Sequence, residues 1–464
     1  MSAIILAIIA FSGTASLTRA NTGLVNPNTL SVAGSSTVLP IAVDEAAQFP
    51  SYWNNLVGNN TSWGASPITE SISLAGLGSG TAIPALINGQ ADVGEMSRPP
   101  QNSSAEWLNP SMTNMQIWAV GIDSVAIVLS PDMTWFPTNV TTQQVADIFA
   151  DQPSAYTTPY YNTWGDFLTV YYNGSIPSSI NSTERNEPIN RAVRDPTSGT
   201  FDCFNNYFAV PNGFQFEHKT NGTVDNSQEM APYTYCEENL NIFQTVSTGN
   251  LGSLSDCIGF ISLGYLYAYG DMIGLNVAYN AFNPPASYIA YQGGSYLWGP
   301  YVTPTVPNVK YGVSGIKGSN ATGAYEAWRW LWEVTPQSIP STGPLLEEGV
   351  WIAYMRLPGT TQNGTSDFVN DQYYIELSPA DMAGGQVIDA NLQPHTPSAN
   401  QTQTIPDGKV DFSDLTYFAS AYIAYYTQHI YNPYADMNAD GKIDFNDVKL
   451  FITAYENYFI TYNP

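Results

Sequence analysis

From Leu30 onward, short apolar runs alternate with amphipathic stretches. Leu30–Ala33, Ser71–Ala75, Ala91–Gly94, Val120–Leu129, Ile258–Leu263 and Met272–Val277 are apolar or alternate in the strand period, which predicts strands. Val140–Phe149, Gly199–Ala209, Glu237–Val246 and Gly323–Trp332 carry the helical spacing. This alternation predicts an α/β architecture with mostly parallel sheets. The pattern changes after Gly384-Gly385. Residues Gln393–Ile405 are rich in Pro, Thr, Asn and Gln, as an exposed linker is, and an Asp/Gly loop followed by a helix then occurs twice. The division that follows is an N-terminal segment 1–20, a large α/β unit 26–385, a linker 386–402 and a small α-helical unit 403–464.

The N-terminal run Met1–Phe11 is too short to span a bilayer comfortably and leads into small residues, with Thr18-Arg19-Ala20 as a cleavage point. It reads as a signal peptide. No Lys or Arg precedes it, so a retained segment that anchors the chain or packs on a neighbouring subunit is the other reading. Asn-x-Ser/Thr sequons at Asn60, Asn102, Asn139, Asn173, Asn181, Asn221, Asn320, Asn363 and Asn400 point the same way, to an extracellular or cell-surface glycoprotein. In that compartment two of the three cysteines, Cys203, Cys236 and Cys257, are expected to pair. Cys203–Cys236 is the favoured bridge, because a helix is predicted to separate Cys236 from Cys257. The stretches 151–191 and 212–235 exceed a minimal fold and read as surface insertions, either decoration or a subunit contact.

Of the 464 residues, 44% are hydrophobic and 11% charged, so the chain can bury a large core. The formal net charge of -26 makes nucleic acid and anionic lipid poor partners. The same field repels a free anion, so an anion site has to be built locally. Three glycine- and hydroxyl-rich turns precede predicted helices: Gly34-Ser35-Ser36-Thr37, Gly78-Ser79-Gly80-Thr81 and Ser198-Gly199-Thr200. Each offers backbone N–H groups and hydroxyls at a helix N-terminus, and Arg194 adds a fork-shaped cationic donor. One such turn is ordinarily just a helix cap. Three with an arginine form a candidate oxyanion site.

These turns also sit in a recognisable order. Gly34–Pro40, Gly89–Arg98, Gly121–Val128, Thr141–Phe149, Arg194 with Ser198–Thr200, and Ile258–Gly264 follow one another. Together they resemble the phosphate-binding component of ABC-type phosphate importers, in the periplasmic-binding-protein superfamily, over Leu30–Pro336. The resemblance implies a two-lobed fold with crossing hinge strands that closes on phosphate or a related oxyanion. It assigns ligand contacts to Ser36, Thr37, Ser79, Ser97, Arg98, Arg194, Ser198, Gly199 and Thr200, and an ABC permease as partner. Two features depart from the family. Ser97 stands where many members carry an acidic proton acceptor, and the acid after Arg194 is Asp195, directly adjacent. Glu95 and Asp195 are the carboxylates left to reject a fully ionised anion.

Near the C-terminus, Asp436, Asn438, Asp440, Lys442 (through its carbonyl), Asp444 and Asp447 fit a twelve-residue calcium loop, with Gly441 at the turn. An earlier copy keeps Asp407, Lys409, Asp411 and Asp414, but Gln403 and Ile405 fill its first ligand positions. The helices Leu415–Tyr426 and Val448–Phe459 follow the two loops. Asp at the last loop position and the missing preceding helix resemble dockerin modules, which implies a role in tethering or assembly. Three histidines without metal spacing, and no nucleophile elbow, argue against an enzyme. The reading is a secreted oxyanion-binding protein carrying calcium. The alternative is a subunit of a filament or surface layer that self-assembles and reuses the binding fold.

Overall fold

The computed structural model describes residues 29–100, 106, 109–111, 115–149, 161–195, 197–209, 219–220, 223–224, 233–248, 256–280, 298–314, 323–356, 387–388, 394–395, 403–404 and 412–462. The N-terminal segment 1–20 and the sequons at Asn102, Asn221, Asn320, Asn363 and Asn400 lie outside these residues. So do Asp407, Lys409 and Asp411 of the earlier calcium loop.

The first lobe is built from β1 (Ser31–Gly34), α1 (Leu39–Asn59), β2 (Ser73–Ala75), α2 (Ala82–Ile87) and β3 (Val93–Met96). Strand β1 lies between β2 and β3, all parallel. Helix α1 buries Ile41, Phe49, Trp53 and Val57 on one stripe, as an amphipathic helix covering a sheet must. The chain then enters β4 (Gln116–Leu129), whose side chains are buried almost throughout. The second lobe holds β5 (Asn139–Thr141), α3 (Thr142–Phe149), α4 (Trp164–Tyr171), β6 (Asn190–Arg194), α5 (Gly199–Phe204), β7 (Tyr233–Cys236), α6 (Asn239–Thr248), β8 (Cys257–Ser262), α7 (Leu263–Tyr269), β9 (Asn276–Asn280) and β10 (Trp298–Val302). Here β6 pairs in parallel with β7 and β8, while β5, β9 and β10 form a separate small sheet. The predicted strand Met272–Val277 is divided at Leu275 between a short pairing at Ile273–Gly274 and β9.

The return strand is β11 (Trp328–Thr335), where the helical reading of Gly323–Trp332 fails. Trp328, Trp330 and Trp332 pack consecutively along one side, with ring centroids 5.5 and 6.4 Å apart. That is a period of two, and aromatic residues buried between two neighbouring strands favour extended backbone over their helical spacing. Strand β11 is antiparallel to both β3 and β4, and β4 is antiparallel to β8. The sheet is therefore mixed, with parallel flanks and an antiparallel centre, because two strands that pass between lobes must run in opposite directions. Residues 116–124 of β4 pair with β11 and 125–129 with β8, so β4 belongs to both lobes.

Helix α8 (Leu346–Met355) is buried against α1 through contacts such as Phe49 with Trp351 at 5.2 Å. Helices α9 (Phe412–Gln428) and α10 (Phe445–Tyr462) cover the two helices predicted there and pack on each other through Phe418 and Phe451. The loop between them lies on the first lobe: Tyr431 N–H donates to Ile339 O at 2.8 Å, and Tyr52 Oη donates to Ala439 O at 2.7 Å.

The expected Cys203–Cys236 disulfide is not formed; all three cysteines are buried free thiols. Each thiol faces its own surroundings. Cys236 Sγ lies 3.7 Å from Thr245 Oγ1, whereas Cys203 sits in α5. Burial pushes the Cys203 and Cys257 thiols up to about 12 and raises Cys236, so all three remain unreactive. Among the sequons on described residues, Asn173 and Asn181 are exposed, and Asn60 and Asn139 are half-buried. No helix of the described residues is long and apolar enough to cross a membrane.

Candidate functional site

The three predicted turns converge where the lobes meet. The turn after β1 is fixed by Ser35, whose N–H donates to Glu95 O at 2.8 Å. Gly34 has φ +144, and a Cβ there would lie 2.0 Å from Glu95 O, so only glycine lets the turn start. The Ser35 hydroxyl accepts from Thr37 N–H at 3.1 Å, leaving the hydroxyls of Ser36 and Thr37 for the cleft. Across the cleft, Ser198 N-caps α5 by accepting from Phe201 N–H at 3.1 Å. Accepting this bond leaves the hydroxyl proton of Ser198 able to donate.

Thr200 Oγ1 is the meeting point. It accepts from Arg329 Nη2 at 2.9 Å and from Arg194 Nη1 at 3.2 Å, and it lies 3.4 Å from Thr37 Oγ1 of the other lobe. Thr37 Oγ1 also accepts from Arg329 Nη2 and Asn239 Nδ2, each at 3.1 Å. Arg194 Nη2 reaches Ser36 Oγ at 3.2 Å and Glu237 O at 2.9 Å. Below this pair, Gly199 abuts the second turn. A Cβ on Gly199 would stand 2.3 Å from Ser97 O, and Ser97 N–H donates to Ser79 Oγ at 2.9 Å. Ser36, Thr37, Ser79, Ser97, Arg194, Gly199 and Thr200 are thus gathered in one buried place.

Arg98 is placed differently. Its guanidinium makes a two-toothed pair with Glu106, at 2.7 and 2.6 Å, and Nε lies 3.1 Å from Asp202 of α5. It serves as a tie between segments rather than as an open anion donor. The two candidate acceptors also lie elsewhere. Asp195 Oδ1 accepts from Thr197 N–H at 2.7 Å and shapes the turn ahead of Ser198, while Glu95 is wholly buried behind the first turn.

Four residues that sequence reasoning missed complete the site: Asp123, Asn239, Ser262 and Arg329. Asp123, on β4, accepts from Arg329 Nε and Nη2 at 3.0 and 2.6 Å and from Ser262 Oγ at 2.8 Å. Ser262 N–H in turn donates to Asn239 Oδ1 at 3.2 Å, which aims the Asn239 amide at Thr37. Sequence did hold a signal for one of them, since Asp123 is a lone charge inside the apolar strand run Val120–Leu129.

Arg194 is fully buried. Among the described residues no carboxylate pairs with it, and its Nε has no hydrogen-bond partner. Burial, followed by the nearby Arg329, lowers its pKa to about 10, so it stays protonated at neutral pH. A buried cation with a spare donor and no carboxylate in ion-pair contact calls for an anion. Around Thr200, Arg194 and Arg329 stand against Asp123, while Glu238, half-buried and itself raised by burial, acts on Arg194 only from outside ion-pair distance. Within hydrogen-bonding reach of Thr200 one positive charge is therefore left over.

At the C-terminus, Asp436 is fully buried. Its Oδ1 accepts from Asp440 N–H at 3.0 Å, and its Oδ2 from Gly441 N–H at 2.7 Å and Tyr431 Oη at 2.6 Å. Asp447 accepts from Met437 N–H at 2.8 Å and Asp444 N–H at 2.7 Å. Asn438 Oδ1 accepts from Asp440 N–H, and Lys442 N–H donates to Asp440 Oδ1. Gly441 has φ +79, the turn the loop pattern requires. Among the described residues no three acidic, His or Cys side chains stand close enough together to hold a metal ion as placed. Asp414 of the earlier loop is buried in the first turn of α9.

Residues 17–252 match the PBP superfamily domain. Among solved structures, the chain is similar to a putative phosphate ABC transporter substrate-binding protein from Clostridium perfringens, at 17% identity and TM-score 0.44, covering 76% of this chain and 100% of that one. It is also similar to an ABC-type phosphate transport receptor from Vibrio cholerae (16%, TM-score 0.41, 75% and 100% covered). A phosphate-binding protein from Stenotrophomonas maltophilia gives 13% and 0.41, with 75% and 91% covered. No curated protein matches the chain.

Proposed function

The chain belongs to the PBP superfamily, and from that premise we propose that it is an extracytoplasmic solute-binding protein that closes its two lobes on one oxyanion, phosphate in its singly charged form. The buried, unpaired Arg194 carries this reading. The hydroxyls of Ser36, Thr37 and Thr200, the Ser79–Ser97 pair and the amide of Asn239 supply donors around it, and Arg329 supplies a second cation. A monoanion neutralises the single surplus charge. A dianion such as sulfate would leave a buried negative charge, which costs several kcal/mol in a low-dielectric site. Asp123 sets this balance and is the carboxylate within the site able to accept a ligand proton.

Two substitutions test it. Arg194→Met is expected to abolish phosphate binding while the far-UV circular dichroism stays that of the wild type. Asp123→Asn removes the balancing charge, so sulfate affinity should rise relative to phosphate. Retained phosphate affinity in Arg194→Met would refute the assignment.

The loop 436–447 is the proposed calcium site, with Asp436, Asn438, Asp440, Asp444, Asp447 and the Lys442 carbonyl as ligands. Its support is the ligand spacing, the turn at Gly441 and the burial of Asp436 and Asp447 without a cationic side chain. Calcium should raise the unfolding temperature in a saturable way, and Asp436→Asn with Asp447→Asn should remove that response.

A further inference from the structure

The C-terminal segment touches the strand that joins the lobes. Between β4 and β11 the register shifts, so that Leu331 faces Gly121 while Trp332 faces Ala119, and Val120 is left over as a bulge. On the other edge of β4, the short strand Gln403–Thr404 pairs with Ile117 and Trp118. The next N–H, that of Ala119, donates to the hydroxyl of Tyr434. Tyr434 is fully buried, edge-on to Trp118 at 5.4 Å, with the Arg356 guanidinium 4.1 Å above its ring.

The same segment is fastened at its other end to α1. Tyr52 Oη donates to Ala439 O, and a Cβ on Gly441 would lie 2.5 Å from the Trp63 ring. Ser341 N–H donates to His429 O at 2.9 Å, closing the contact on the side of residues 339–341. Helix α1 begins at the Ser35-Ser36-Thr37 turn, and β4 carries Asp123 four residues beyond Ala119. Residues 429–441 therefore bridge the helix that presents the first anion turn and the bulged strand that presents the site's carboxylate.

We propose that Tyr434 is a positioning residue for cleft closure, holding the β4 bulge in the shape that sets Asp123 and Arg329 against Thr200. This rests on the oxyanion-binding reading above. It gives the C-terminal segment an internal role in ligand capture, distinct from tethering.

The full-length Tyr434→Phe protein tests it. The change leaves the ring and removes the acceptor for a buried N–H, a loss that corresponds to about tenfold in an equilibrium constant. Amide exchange in peptides spanning 117–123 should speed up about tenfold, and phosphate affinity should fall by a similar factor. A purely packing role would lower the unfolding temperature but leave the phosphate Kd, read well below that temperature, unchanged. Faster exchange with an unchanged Kd overturns the proposal, as does unchanged exchange. A second measurement needs no variant. Coupling is reciprocal, so phosphate added to the wild type should slow exchange in residues 429–441, outside the cleft, and no slowing overturns the proposal. If the wild type binds no phosphate, the binding reading has failed by itself. Small-angle scattering then decides the present proposal: Tyr434→Phe must be more open than the wild type, and equal dimensions overturn it.

Discussion

Three carboxyl groups share one buried place behind the first anion turn. Glu95 of β3 and Glu333 of β11 are direct cross-strand partners, and Glu45 reaches them from α1. All three are completely buried, and both oxygens of Glu45, both of Glu333 and one of Glu95 lack hydrogen-bond partners. Among the described residues no cation pairs with them. Tyr354, whose hydroxyl feels Glu45, faces them from α8. Burial pushes Glu95 up to about 8 and raises Glu45 and Glu333 well above the usual carboxylate range, with repulsion from Glu95 adding to the effect at both and from Glu45 at Glu333. They are held as neutral acids.

The consequence runs opposite to that of an ion-paired carboxylate. Above about pH 4.5 the unfolded chain releases these protons, while the folded chain keeps them until near pH 8 for Glu95. The folded state then binds more protons than the unfolded one, so stability falls as pH rises through this window. The slope is about 1.4 kcal/mol per pH unit for each group. Three groups acting together reach about 4 kcal/mol per unit, which over two units rivals the whole stability of an ordinary domain. Denaturant unfolding followed by near-UV circular dichroism from pH 4.5 to 7.5 reads it, in added salt to screen the net charge of -26. The wild type should lose stability steadily. Glu95→Gln and Glu333→Gln should each flatten the slope by up to about 1.4 kcal/mol per unit. A wild-type stability that is level or rising over this range, or glutamine variants with the wild-type slope, would refute the reasoning.

Other outcomes follow from single contacts. Gly199→Ala drives a methyl into Ser97 O and should weaken phosphate binding at least about tenfold by holding the lobes apart, with a smaller effect on unfolding, as calorimetry and thermal melts can show. Since all three cysteines are free thiols, reductant should leave the unfolding temperature unchanged, and mass spectrometry should count three alkylated thiols after denaturation. A chelator should lower the unfolding temperature of calcium-loaded wild type but not that of Asp436→Asn with Asp447→Asn.

The part of the site that sequence revealed is its local part. Ser36, Thr37, Ser79, Gly199 and Thr200 stand in short glycine- and hydroxyl-rich turns before helices, a pattern that three repeats turn from a cap into an anion site; Ser97 came through the family resemblance, and Arg194 lies close by in the chain. Asp123, Asn239, Ser262 and Arg329 come singly from elements far apart in sequence, and only the closed fold brings them together. The shared burial of Glu95 and Glu333 stayed hidden for the same reason, because it follows from the cross-strand pairing that joins them. The fold was read well where period and propensity agreed, as in Val120–Leu129 of β4 and Val140–Phe149 around α3. It was misread at Gly323–Trp332, where Trp328 and Trp332, four residues apart, imitate a helical stripe although Trp330 between them keeps the strand period. The disulfide expectation came from compartment, and the choice of partners from the helix predicted between Cys236 and Cys257; the separate burial of Cys203 and Cys236 decides otherwise.

The central claim is a monoanion-selective oxyanion site around Arg194, and titration calorimetry of the purified full-length chain with phosphate and with sulfate near pH 6 tests it most directly. One saturable phosphate site, with sulfate at least about a hundredfold weaker, is the predicted result, since that ratio corresponds to about 2.7 kcal/mol against an uncompensated buried charge. Absence of phosphate binding, or equal affinity for the two anions, would contradict it.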